Sequence, residues 1–91
     1  MSTQHFTSAQ AQDIALQIGI KWDAVRFDLE QFRMGMDVEM EHGKRDPQTN
    51  VTNDDSLTTG KISLAHLREY PDYYTRLAKM ENEAEAFWEK K

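Results

Sequence analysis

With 91 residues and a hydrophobic content of 38%, the chain is long enough for one small domain with a single core. Sixteen acidic and eleven basic side chains give a net charge of −5, and no segment gathers Lys and Arg, so we expect no nucleic-acid partner. Cysteine is absent, which excludes disulfides, thiolate metal sites and thiol nucleophiles. No apolar run approaches the roughly 20 residues of a membrane-spanning helix, so we expect a cytoplasmic protein with no membrane partner.

The first predicted helix covers about residues 8–18. Its apolar residues recur at i, i+3, i+4 and i+7, which is the pattern of an amphipathic helix. They are Ala11, Ile14, Ala15 and Ile18. Gly19 follows at the position where a left-handed cap is expected. The residues before this helix, 1–6, are expected to be disordered.

A second helix is predicted over 28–42, with Asp28 as its N-cap and Gly43 as its C-cap. Gly35 inside this helix indicates a close approach by another backbone or by a bulky ring. The following segment, 44–57, reads KRDPQTNVTNDDSL and has no apolar period, so we expect an exposed loop. A loop of this length is uncommon in a compact domain and often carries function.

Two further helices are predicted in the second half of the chain. The third begins at Thr58 or Thr59 and ends before Pro71, because the residue that precedes a proline is pushed out of helical geometry. The fourth covers about 71–89 and has an apolar seam that is expected to face the core. The seam consists of Tyr73, Leu77, Met80, Ala84 and Phe87. Trp88 either closes the core or marks a partner surface.

The expected fold is therefore all-α. We predict a compact bundle of three to four helices with one long loop between the second and third main helices. The whole chain, 1–91, is expected to form a single helical domain.

Two pairs of a carboxylate and an imidazole are the strongest chemical signal in the sequence. Glu39 lies three residues before His42, and His66 lies three residues before Glu69. On a helix, residues at that spacing share a face. Di-metal sites in helical bundles are built from Glu-x-x-His pairs on two helices, although the second pair here runs in reverse order. One hypothesis is therefore a small protein that binds a divalent metal through these four side chains.

A structural interpretation of the same residues stays open. In it, His42 bonds the final carbonyl groups of its helix, and His66 packs half-buried against Tyr73 or Tyr74. One of the two tyrosine rings would then lie in the core and the other at its rim.

The two segments that contain these pairs resemble a known family. The first matches the pattern G-M-x-V-E-x-E-H, and the second matches A-H-L-x-E-x-P-x-Y-Y. The matching residues are Gly35, Met36, Val38, Glu39, Glu41 and His42 in the first segment, and Ala65, His66, Leu67, Glu69, Pro71, Tyr73 and Tyr74 in the second. Over roughly 28–80, the chain is similar to a small domain of unknown function found in bacterial and phage proteins. This resemblance implies no particular activity.

The favoured hypothesis is a non-enzymatic accessory module that acts through contacts with a protein partner. Asp37, Glu39 and Glu41 place three negative charges in the second half of one helix, where the helix dipole disfavours anions. A cationic group should compensate these charges. The candidates within the chain are Lys44, Arg45, Lys61 and Arg68, so the compensating group need not be a metal. No nucleophile stands out, so we expect neither an enzyme nor an obligatory cofactor. The residues predicted to contact the partner are Asp37, Glu41, Tyr73 and Tyr74.

Overall fold

A computed structural model describes residues 6–89. Within that range the chain forms four α-helices, one short 3-10 helix and no strand, which confirms the predicted all-α bundle. The α-helices are α1 (Ser8–Ile18), α2 (Leu29–Arg45), α3 (Ser56–Glu69) and α4 (Tyr73–Glu89), and the 3-10 helix is Pro47–Thr49. No helix within 6–89 combines the length and the apolar character that crossing a bilayer requires.

Both ends of α1 and the start of α2 lie where local signals in the sequence predict. Thr7 Oγ1 accepts a hydrogen bond from the Gln10 backbone at 3.1 Å, and the Gln10 side chain accepts one from the Thr7 backbone at 2.9 Å, which makes a capping box. Asp28 caps α2 by accepting from the Gln31 backbone at 2.9 Å. Gly19 ends α1 with φ at +85°, a left-handed conformation that glycine adopts without strain.

The core lies between α1, α2 and α3. Phe32 and Met36 of α2 are both 0% exposed, and Leu67 of α3 is 1% exposed. From α1 the buried side chains are the small Ala11 and Ala15, which stand one turn apart on one face. Their size lets the backbone of α1 approach the other two helices closely, so the aromatic and aliphatic bulk comes from α2 and α3.

The chain is anchored from Phe6 onward, so the expectation of disorder through residue 6 was wrong at that residue. Residues 1–5 lie outside the described range. The Phe6 side chain is only 8% exposed, and its backbone N–H donates to Asp37 Oδ1 at 2.9 Å. Arg33 bonds Asp37 Oδ2 at 2.6 Å and lies 3.4 Å from the Phe6 carbonyl oxygen. The buried Phe6 ring and the hydrogen bonds of the Phe6 backbone to two α2 side chains therefore fix this segment to α2.

The connection between α2 and α3 is shorter than the sequence indicated. Because α2 continues past Gly43 and α3 begins earlier than predicted, the connection covers 46–55 instead of 44–57. Gly43 is buried inside α2 and does not cap it. A Cβ at Gly43 would lie 3.0 Å from Asn50 Oδ1 and 3.2 Å from Thr52 Oγ1. This glycine therefore allows the loop to pack on the helix, which is why its presence did not end the helix.

The fourth helix departs furthest from expectation. Only Tyr74 of α4 is buried among the described residues, and Met80 and Phe87 of the predicted seam are 53% and 55% exposed. The residues of α4 that pack on the core cluster are confined to its first five positions, up to Leu77. Beyond Leu77 the prediction of a core-facing seam was therefore wrong. The helix continues past the core and contributes to the elongated outline of 45 × 27 × 21 Å.

Candidate functional site

A polar network joins α2, α3 and α4. Tyr74 of α4 donates its hydroxyl proton to Oε2 of Glu39 on α2 at 2.7 Å. On α3, Nδ1 of His66 lies 3.0 Å from the same carboxylate oxygen and 3.0 Å from the Tyr74 hydroxyl. One residue from each of three helices meets at this point, and Glu39, His66 and Tyr74 are termed the polar triad below.

The positions of the protons in the triad follow from the chemistry of its members. Tyr74 is 1% exposed, and burial raises its pKa far above the usual value, an effect that the hydrogen bond to Glu39 reinforces. The phenol therefore stays protonated, and its O–H donates a hydrogen bond to the carboxylate of Glu39. Both groups beside Nδ1 of His66 are then acceptors, so we assign a proton to Nδ1.

His66 is the most accessible member of the triad. Its side chain is 31% exposed, against 13% for that of Glu39. The imidazole stacks on Tyr73, with ring centroids 4.4 Å apart and planes within 7° of parallel. Tyr73 is half-buried and Tyr74 is in the core, as the structural interpretation of the sequence predicted. Tyr73 therefore covers one face of the His66 ring, and the rest of the imidazole is partly open to solvent.

Gly35 makes room for the Tyr74 ring. A Cβ at Gly35 would collide with Ser63 Oγ and with the ring of Tyr74, whose Cδ2 would lie 2.8 Å away. Ser63 is itself fully buried and donates to the carbonyl oxygen of Phe32 at 3.3 Å. Glycine within a helix costs about 1 kcal/mol relative to alanine. The close approach of a bulky ring, which the sequence predicted, accounts for it here.

The four predicted metal ligands do not all come together. Glu39 and His66 meet in the triad, whereas His42 and Glu69 are exposed. Among residues 6–89, no three His, Asp or Glu side chains form a group that could hold a metal ion. On an α-helix, side chains three residues apart point in directions that differ by about 60°. That offset is enough to turn the second member of each pair toward solvent, so the predicted cluster is not assembled.

The predicted contact residues occupy different environments. Asp37 forms an ion pair with Arg33 at 2.6 Å and holds the N-terminal segment, so its charge stabilises the fold. Glu41 is half-exposed and lies 3.8 Å from Arg45. The two tyrosines belong to the triad and to its rim. Arginines of the same helix thus supply the positive charge that the acidic run in α2 requires, and only Glu41 lies along an open groove.

That groove lies between the end of α2 and the second half of α4. Residues 78–89 are termed the distal half of α4 below. From α2 the groove is lined by Val38, Glu41, His42 and Arg45, and from α4 by Ala78, Glu81, Asn82 and Glu85. Beyond it, Trp88 is 68% exposed and packs edge to face on Phe87 with ring centroids 5.2 Å apart. Trp88 therefore does not close the core formed by the described residues.

Together these features describe a small all-α bundle in which a polar triad joins the second, third and fourth helices. A family model matches residues 11–83, and the chain belongs to this family, DUF5661, described as a protein of unknown function. No curated protein and no solved structure matches the chain. The matched segment contains all three triad residues and Gly35, and it ends before Trp88.

Proposed function

We propose that this chain is a non-enzymatic accessory module that binds a protein partner through the distal half of α4. The observation that carries the proposal is the 68% exposure of Trp88 on a helix that continues past the core. Tryptophan is highly buried on average in folded proteins. At protein interfaces it is enriched among the residues that contribute most to binding energy. An indole held on a rigid helix and open to solvent has the character of such a contact.

The charge of this surface favours a protein partner over a nucleic acid or a membrane. The distal half of α4 carries Glu81, Glu83, Glu85 and Glu89. Against these four carboxylates, the distal half contains one basic residue, Lys79. Phosphate backbones and anionic lipid surfaces attract basic segments and repel a surface of this kind. A helix with an aromatic end and acidic flanks suits recognition in a groove of another protein.

The polar triad supports this proposal as a structural element. Tyr74 is almost inaccessible to a substrate, and its phenol is held protonated and hydrogen-bonded to Glu39. Because each triad residue comes from a different helix, the network fixes the direction in which α4 leaves the core. The distal half is then presented at a constant angle, which lowers the conformational entropy lost on binding.

The setting proposed for this module is the cytoplasm, in a bacterial or phage-derived system. This part of the proposal rests on the sequence resemblance over roughly 28–80. No cofactor, nucleic acid or membrane is needed for the proposed contact.

A second candidate, binding of a divalent metal, rests on the 3.0 Å approach of Glu39 and His66. The Tyr74 hydroxyl already bonds the Glu39 oxygen that faces His66, so a metal would have to displace it. Thermal melts of untagged protein with EDTA, Zn²⁺, Mn²⁺ or Fe²⁺ test this candidate. A bound metal raises the Tm by mass action, and His66→Ala removes the gain. An unchanged Tm with every metal would eliminate it.

Site-specific photo-crosslinking in cells that naturally express the chain tests the favoured proposal. The photoreactive residue p-benzoylphenylalanine replaces Met80, which is 53% exposed on the distal half, or Leu16, which is 71% exposed on α1. We expect a defined protein adduct, to another protein or to a second copy, from position 80 only. Trp88→Ala in the same chain should abolish that adduct. Equal adducts from both positions, or none from position 80, would contradict the proposal.

A further inference from the structure

A cleft on another part of the bundle has a charge opposite to that of the distal half of α4. It has a volume of about 320 Å³ and lies among the end of α1, the segment 20–27 and the end of α3. Three basic side chains line it, from Lys21, Arg26 and Arg68. Its apolar lining comes from Ile20, Val25, Phe27, Leu64, Leu67 and Pro71. This site is termed the cationic cleft below.

The basic residues of the cationic cleft lack an anionic partner within the described part of the chain. None of the ion pairs formed among residues 6–89 involves Lys21, Arg26 or Arg68. By contrast, Arg33 bonds Asp37 of the same helix at 2.6 Å, and Arg76 bonds Asp72, which directly precedes α4, at 2.9 Å. In a chain of net charge −5, three uncompensated cations around an apolar floor favour a ligand that is both anionic and apolar.

The distal half of α4 presents that combination of groups. Glu81, Glu85 and Trp88 are spaced by four and three residues, so they form one stripe along the helix. All three are exposed. Like charges four residues apart on a helix repel each other, and a cation that contacts both relieves the repulsion. The stripe therefore offers two carboxylates and an indole to a surface that supplies cations beside an apolar pocket.

We infer that the partner of the distal half is a second copy of this chain. Trp88 of one copy enters the cationic cleft of the other, while Glu81 and Glu85 pair with Arg26 and Arg68 across the contact. This inference rests on the proposed function, because it uses the same binding surface and specifies its partner. Guanidinium groups bond carboxylates in a directional, bidentate way, and an aromatic anchor in a pocket supplies the apolar part of the contact.

The contact has to form between copies because the geometry of α4 prevents it within one chain. Pro71 lines the cationic cleft, and α4 begins two residues later at Tyr73. Trp88 lies fifteen residues further along a continuous helix, about 22 Å from the start of α4. It cannot return to the cleft of its own chain without breaking the helix. Two copies can exchange the contact around a two-fold axis, or successive copies can repeat it as an open chain.

Sedimentation equilibrium of the full chain tests the inference. We expect the average mass to rise between about 10 µM and about 1 mM protein and to fall with added salt, because ion pairs at the rim are screened. Arg68→Glu and Trp88→Ala should each weaken association by about tenfold or more. Matched controls are Lys44→Glu, the same type of charge reversal on α2, and Leu16→Ala, an exposed apolar truncation on α1. Neither control should change the mass.

A charge-swap experiment identifies the two faces of the contact. One variant carries Arg26→Glu with Arg68→Glu, and the other carries Glu81→Arg with Glu85→Arg. All four residues are exposed, so circular dichroism should show that both variants keep the native fold. Each variant alone should sediment as a monomer, and their mixture should associate, because an acidic cleft now faces a basic helix.

A wild-type chain that stays monomeric at the highest concentration overturns the inference. Association that Arg68→Glu leaves unchanged, or a charge-swapped mixture that stays monomeric, overturns it too. Photo-crosslinking separates this failure from that of the proposed function. If the chain is monomeric and still forms a Trp88-dependent adduct from position 80, its partner is a different protein. Self-association is then refuted, and binding through the distal half of α4 is supported. A monomeric chain with no adduct removes both.

Discussion

Gly35→Ala is the substitution whose outcome depends most directly on the geometry around the polar triad. In an exposed helix interior this change would stabilise the protein by about 1 kcal/mol. Here the added methyl group would collide with Ser63 Oγ and with the Tyr74 ring, which are 0% and 1% exposed and have no room to withdraw. The sign of the effect should therefore be reversed.

The magnitude follows from two costs and one gain. Overpacking a closed core costs about 1–3 kcal/mol. Moving the Tyr74 ring also breaks its hydrogen bond to Glu39, and a buried hydroxyl donor left unpaired costs about 1–3 kcal/mol. After subtraction of the helix-propensity gain of about 1 kcal/mol, the expected loss of unfolding free energy is about 3 kcal/mol. In urea, with a slope of about 1–3 kcal/mol per molar, the midpoint should fall by at least about 1 M.

Gly43→Ala is the matched control for this experiment. Gly43 lies in the same helix, but the nearest atom to its added Cβ would be the side-chain oxygen of Asn50, at 3.0 Å, so a shift of a few tenths of an ångström is enough to accommodate the methyl group. Its unfolding free energy should stay within about 1 kcal/mol of that of the wild type. If Gly35→Ala proved as stable as the control, the close contact between α2 and the Tyr74 ring would be refuted.

Three further predictions concern stability. Burial raises the Tyr74 pKa, so above about pH 10 the unfolded state releases a proton that the native state keeps. The unfolding free energy of the wild type should therefore fall with rising pH, by up to about 1.4 kcal/mol per pH unit. Urea unfolding between about pH 8 and 11 should show a shallower fall for Tyr74→Phe than for Tyr70→Phe, whose side chain is exposed; equal slopes would contradict this. Phe6→Ala should lower the unfolding free energy by about 3 kcal/mol, and a loss below about 1 would show that this ring is not packed. Trp88→Ala should change thermal stability by less than about 0.5 kcal/mol, since a larger loss would make the indole part of the core.

Local signals in the sequence predicted much of the fold. The limits of α1 and the N-cap of α2 follow from Thr7, Gly19 and Asp28, because caps act on backbone groups within a few residues. Gly43 misled for a physical reason: a glycine ends a helix when it adopts a left-handed conformation, and it stays helical when another segment packs against it. The sequence near Gly43 does not contain that second segment, so its effect could not be predicted locally.

The exposed end of α4 shows a different limit. Apolar spacing predicts which side of a helix is hydrophobic, and it does not show whether another helix lies opposite. Leu77 contacts the core, but about one and three turns later no described helix covers Met80 or Trp88. The same reasoning explains Phe6, a single aromatic residue whose burial depends on Arg33 and on its neighbours in α2.

The candidate site was half predicted. Glu39 and His66 were selected for their chemistry, and the structure brings them to 3.0 Å. Tyr74 was predicted to pack against His66 or to contact a partner. Its hydrogen bond to Glu39 was not predicted, because the two residues lie 35 positions apart in the sequence. Helical spacing could suggest pairs within one helix, whereas the triad is formed between helices. Helix crossing angles and helix order determine which side chains of different helices come into contact, and residue spacing predicts neither.

The central claim is that Trp88 is open to solvent in the isolated chain and becomes covered on binding. Trp22→Phe leaves Trp88 as the single tryptophan, since the chain contains two. In dilute solution, acrylamide should strongly quench the fluorescence of Trp88. In concentrated protein, or with the partner identified by crosslinking, quenching should decrease and the emission maximum should shift to shorter wavelength. A Trp88 that is shielded in the dilute monomer, or that stays equally quenched under all these conditions, would contradict the account.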